Sequence, residues 1–100
     1  MAILVTGVRF NENGKEVTHV EWGTVYVYNP KRWVTQPQVT DVHDLINALN
    51  EGTMVQSRFV IGGDQVLGPA LKLKSLASGG KTIQMAQRKK QQALSDLPHV

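Results

Sequence analysis

The stretch TDVHDLINALNEG, residues 40–52, decides the fold. Val42, Leu45, Ile46 and Leu49 recur at helical spacing and form one apolar stripe. Thr40 is the candidate N-cap, Asp41 and Asp44 stand near the positive end of the helix dipole, and Gly52 lies just past the stop. A helix over 40–51 must bury that stripe, and the only sizeable apolar surface the rest of the chain offers is a sheet face. The fold class is therefore α+β: a small antiparallel sheet of about four to five strands with this one helix packed across it.

Working toward the N-terminus, Ala2 to Phe10 and Val17 to Tyr28 are β-prone runs joined by Asn11 to Glu16. Asn13-Gly14 is a strong hairpin signal, and a two-residue turn there sets Glu12 opposite Lys15, Phe10 opposite Val17, Gly7 opposite Val20 and Val5 opposite Trp22. Val20 and Trp22 share a face, but Val25 and Val27 fall out of phase with them, so a bulge at Gly23 is expected to restore the pattern. It would turn Tyr26 and Tyr28 to the side of His19 and Glu21 as an aromatic strip, unless a later strand covers them. Asn29 to Gln38, with Pro30 and Pro37, reads as a long loop. Trp33 in that loop, flanked by Lys31 and Arg32, can anchor a partner or stack on a base, or else fold back over the sheet as a lid.

Toward the C-terminus, Thr53 to Ile61 is a strand with Val55, Phe59 and Ile61 on one face and Gln56 and Arg58 on the other. Gly62-Gly63-Asp64 turns the chain. Residues 65–76 read as a further strand in preference to a short helix, since Leu71, Lys72, Leu73 and Lys74 alternate. Gln84 to Leu94 is a run of strong helix formers after the Gly79-Gly80 break, and predicts a peripheral C-terminal helix. Its apolar content is thin, so residues 83–100 are expected as a basic helix or tail attached to a single domain spanning 1–82.

Composition narrows the function. The chain has 100 residues, 41% hydrophobic and 19% charged, a formal net charge of +3 and no cysteine. One domain of this size can bury a core without disulfide or metal support. Thiol nucleophiles and thiolate metal sites are excluded. No apolar run reaches the roughly 18 residues of a membrane span, and the expected location is the cytoplasm. Residues 71–100 hold six basic side chains against Asp96 alone, a local excess suited to anionic partners.

Catalytic constellations do not emerge. Ser57, Ser75, Ser78 and Ser95 lie in no nucleophile motif, and His19, His43 and His99 are scattered, so neither catalysis, metal nor cofactor is expected. His19 and Glu21 share a strand face, an arrangement that surface residues produce often. Ser78-Gly79-Gly80-Lys81-Thr82 ends like a phosphate-binding loop, but Ser75 stands where the motif needs glycine; a single phosphate held by Lys81 and a following helix N-terminus is the weaker version. Two non-catalytic classes remain. In the first, Tyr26, Tyr28, Trp33 and Met85 bind a protein partner or a second copy. In the alternative, Lys72, Lys74, Lys81, Arg88, Lys89 and Lys90 bind nucleic acid. An enzyme with a site assembled from distant residues is the third.

Val5-Thr6-Gly7-Val8-Arg9, the short helix over Val42 to Leu49, the following strand and glycine turn, and the closing Asp96-Leu97-Pro98 together resemble a family of short bacterial and phage-associated domains of unknown function. Ala93-Leu94-Ser95-Asp96 departs from that family's Asp-Asn-Leu run. The resemblance implies a small α+β fold and no activity.

Overall fold

The computed structural model describes residues 2–26 and 28–100. Among them, six strands and one α-helix follow in the order β1 (Ala2–Phe10), β2 (Val17–Tyr26), β3 (Asn29–Asp41), α1 (Val42–Asn50), β4 (Val55–Ile61), β5 (Asp64–Ser75) and β6 (Lys81–Met85), with a 3-10 turn at Leu94–Asp96. The strands form one curled sheet, a half-barrel in the order β3-β2-β1-β4-β5-β6. All neighbours are antiparallel except β1 and β4, where Ile3 to Val5 run parallel to Val55 to Ser57. With 57% of the chain in strands and 13% helical, this corrects the expectation of a four-to-five-stranded antiparallel sheet.

Two misread segments account for the difference. Residues 29–38 belong to the edge strand β3, not to a loop. An edge strand hydrogen-bonds on one side only, so Pro30 and Pro37, which lack an N–H, are tolerated there. The expected helix over 84–94 is absent: Ile83 and Met85 pair with Leu73 and Leu71 in β6, and the chain then continues in turns. Cross-strand burial outweighs the helix propensity of a Gln- and Lys-rich run with no apolar stripe.

The apolar phase of β1 and β2 explains their irregularities. Val5 pairs with Trp22 and Phe10 with Val17 as the hairpin signal predicts, but Gly7 faces Glu21 and Val8 faces Val20. Thr6 is an extra residue on β1, and Thr18 one on β2. The two insertions lie on opposite strands, so the outer register is kept while Val5 and Val8 both reach the helix side. The expected two-residue Asn13-Gly14 turn with Glu12 opposite Lys15 is not formed; the loop closes through Asn11, whose N–H donates to Glu16 and whose carbonyl accepts from Gly14.

At Gly23 the β1–β2 ladder runs without a bulge; the register shifts there only against β3. Val25 consequently falls on the helix-free face, where it joins Ala2 and Leu4 in a second apolar cluster covered by Trp33. Tyr26 continues the Trp22 and Thr24 side, and Val27 lies outside the described residues. A side chain on Gly23 would meet the Trp33 ring at 2.6 Å, so glycine is what lets the indole lie on the sheet.

Helix α1 crosses the other face, burying Val42, Leu45 and Ile46 against Val5, Val8, Val20, Val55 and Phe59. Its N-cap is Asp41, one residue beyond Thr40; the Asp41 carboxylate accepts the His43 N–H at 2.8 Å. Ile83 and Leu97 belong to the same core cluster, so residues from both ends of the 83–100 segment pack with the body.

Opposite Ser57, β5 carries an extra residue around Gly68-Pro69. The bulge frees the Pro69 carbonyl from the ladder, and the fully buried Ser57 hydroxyl donates to it at 2.8 Å. Each partner satisfies the other where water cannot reach. Ser57→Ala removes the donor and leaves the carbonyl stranded, so urea unfolding should show a loss of about 1–3 kcal/mol. An unchanged midpoint and slope would mean that water replaces the hydroxyl.

Candidate nucleic-acid interface

Strand pairing places side chains on known faces. On the side opposite α1 stand Arg9 and His19 across β1–β2, Gln56 and Arg58 on β4, Gln65, Leu67, Lys72 and Lys74 on β5, and Gln84 and Thr82 on β6. Glu21 is the one carboxylate among the strand positions of that face in the described residues; Asp41, at the end of β3, turns instead to the helix N-terminus. One of the Glu21 oxygens accepts the Thr6 hydroxyl at 2.7 Å. Among the described side chains, no Lys or Arg lies within 4.0 Å of a carboxylate, the only such pair being His43 with Asp41 at 2.6 Å.

Topology sharpens this bias. The order 3-2-1-4-5-6 puts β1–β3 on one half of the sheet and β4–β6 on the other. Residues 1–52 carry four basic and six acidic side chains, whereas 53–95 carry seven basic and only Asp64. A charge gradient along the chain thus becomes a gradient across the molecule.

Trp33 and Arg58 sit at the seam between the halves. The indole rests on Gly23, and the Arg58 guanidinium carbon stands 4.7 Å from the ring centroid. Arg58 Nε is buried without a partner, and its Nη1 reaches Gln65 Oε1 only at 3.5 Å. Burial pulls the Arg58 pKa down, and the nearby Glu21 charge opposes that effect. The result is a guanidinium short of hydrogen-bond acceptors on a face rich in donors.

The residues singled out in the sequence are divided by the structure. Trp33 is the lid and not a free stacking ring, and Met85 packs against the core beside Leu71. Tyr26, the last residue of β2, is 49% exposed, and Tyr28, in the turn before β3, is 99% exposed. Lys72 and Lys74 share the helix-free face, while Lys81 lies on the helix side and donates to Asn50 Oδ1 at 3.4 Å. Arg88, Lys89 and Lys90 line a cleft of about 410 Å³ with Met85, Gln87, Gln92 and Ala93. They are on an exposed connector, not a helix. Ser78 to Thr82 forms the β5–β6 hairpin, with Gly79 at a positive φ of 90° and a strand after it, so the helix N-terminus that a phosphate site would need is missing.

His19 bonds to Thr18, and Glu21 to Thr6, so the two do not form an acid/base pair. Among the described residues no three His, Asp or Glu side chains gather as a metal site, and no helix is long and apolar enough to cross a membrane. Arg9 and Arg58 are the members of the basic face that sequence reading passed over. Strand alternation placed Arg58 with Gln56 away from the core, but not on the same sheet face as Lys72, because that depends on which strands become neighbours.

Compared with protein-family models, with curated proteins and with solved structures, the chain matches none. This neither supports nor refutes the resemblance to the bacterial and phage-associated family.

At the other end of the sheet, Asp41 is held below the ordinary carboxylate range, chiefly by the His43 backbone N–H and then by the His43 ring. A depressed folded-state pKa adds stability above the unfolded value, about 3.9 for aspartate, and loses it as the pH falls through the folded value. Asp41→Ala should therefore melt below the wild-type chain at neutral pH, with the gap closing in acid. An equal gap at both pH values would show that the carboxylate charge plays no part in holding the helix start.

Proposed function

We propose that the protein is a non-catalytic module that binds the phosphate backbone of nucleic acid on the helix-free face of its sheet. The observation that carries this reading is the set Arg9, Arg58, Lys72 and Lys74 on one face, interleaved with Gln56, Gln65 and Gln84, with Glu21 the single carboxylate among those positions in the described residues. Phosphate contacts need cations free of carboxylate partners and donors that can adapt; among the described residues Arg58, Lys72 and Lys74 supply the first and the glutamines the second, while Arg9 also donates to the Val100 oxygen at 2.8 Å. Phosphate contacts carry no sequence information of their own, so affinity with little sequence preference is the corollary. Arg88 to Lys90, on the connector that leaves β6, extend the same field. Of the two classes read from sequence, the protein-partner one loses Trp33 and Met85 to internal packing and keeps Tyr26 and Tyr28.

About four phosphate contacts give a slope of log affinity against log salt near −3 to −4, or roughly a 10²-fold loss between 50 and 200 mM salt. Fluorescence anisotropy with generic single-stranded RNA and DNA measures it. Lys72→Gln with Lys74→Gln should make the slope shallower by about 2, while Lys81→Gln, on the opposite side, leaves it unchanged. No binding at low salt, or equal losses from both sets of variants, overturns the reading. Capture of a protein through Tyr26 and Tyr28 in the absence of nucleic-acid binding would favour the other class.

A further inference from the structure

Strand β1 has two edges, and they are filled differently. One pairs with β2 along its length. The other pairs with β4 only from Ile3 to Val5, after which β4 diverges and leaves residues 6–9 open. The closing segment of the same chain occupies that opening: the Val8 N–H donates to the Pro98 carbonyl at 2.9 Å, the Val100 N–H donates to the Val8 carbonyl at 2.9 Å, and His99 lies parallel to Val8. Arg9 Nε donates to the Val100 carbonyl at 2.8 Å, the His99 ring packs on Phe10 at 5.4 Å, and Leu97, 2% exposed, plugs the core. A Cβ on Gly7 would stand 2.8 Å from Val100 Cγ1, so the absent side chain makes the slot.

What joins this segment to β6 is weakly held. Ala86 to Gln91 are all exposed, and Gln91 adopts a φ of 63°, a left-handed conformation unfavourable for a glutamine. Closure within one chain thus sets a non-glycine residue in the left-handed region on an exposed connector, a cost that exchange of the segment between copies would remove. Residues 86–93, fully extended, span about 26–29 Å, more than the 23 Å short dimension of the molecule.

We propose that residues 6–9 of β1 form a strand acceptor whose partner is a second copy, so that two chains exchange residues 94–100 in a reciprocal, two-fold arrangement. The same hydrogen bonds, the same Leu97 plug and the same Arg9 contact form across the pair, and the left-handed Gln91 is released.

Native mass spectrometry over a concentration series tests it on the full chain. Gln91→Pro cannot hold a positive φ and should raise the dimer fraction several-fold; Gln91→Gly removes the strain of the closed form and should lower it. Gly7→Val blocks the slot and Leu97→Asp blocks the plug, so each alone should fail to dimerise. Their mixture should give a mixed dimer, in which the intact segment of the first fills the intact slot of the second. The Gln91 variants, on an exposed connector, keep the test valid if the core variants do not fold. Monomer throughout for the wild type and Gln91→Pro, or a dimer fraction that Gln91→Pro and Gln91→Gly alter equally, overturns the proposal.

Discussion

Seven consecutive residues, Ala2 to Val8, are buried, and this double-sided burial of β1 is the constraint on which the rest of the molecule depends. A central strand that hides both faces needs a cover on each. Helix α1 supplies one over Val5 and Val8, and the Trp33 indole supplies the other over Ala2 and Leu4. Each fully buried Val, Leu or Ile side chain contributes about 1.5–3 kcal/mol, so both covers are worth the ordering they require. The apolar run at the start of β1 fits this arrangement, since strands buried on both faces lose the alternation of half-exposed ones.

That constraint also shows where sequence reading succeeded. The helix, its Gly52 stop, the Phe10–Val17 and Val5–Trp22 pairs, and the strands over 55–61 and 64–75 follow from short-range patterns that the fold leaves intact. The bulge assigned to Gly23 did not, because it assumed that all the valines of β2 share one core. Val25 instead serves the second cluster, and Gly23 makes room for a tryptophan from a strand that its prolines disguised as a loop. The missing C-terminal helix has a similar cause: β6 exists only because β5 stands beside it, and no local window contains that information.

The candidate interface was legible in half. Lys72 and Lys74 were visible as exposed cations of an alternating strand. That Arg9 and Arg58 share their face, and that Lys81 does not, depends on neighbour order and register. The closing segment meets β1 through backbone groups, whose hydrogen bonds leave almost no trace in residue type beyond Gly7 and Leu97.

Because β1 takes its last hydrogen bonds from Pro98 and Val100, a strand made before every other described element is completed by residues that follow all of them. During translation the nascent chain carries an unfinished hydrophobic strand for the whole time the other elements emerge, and the contacts that seal it are among the most distant in sequence. Until residues 97–100 have left the ribosome, the nascent chain holds out a sticky β-edge for any neighbouring polypeptide to pair with.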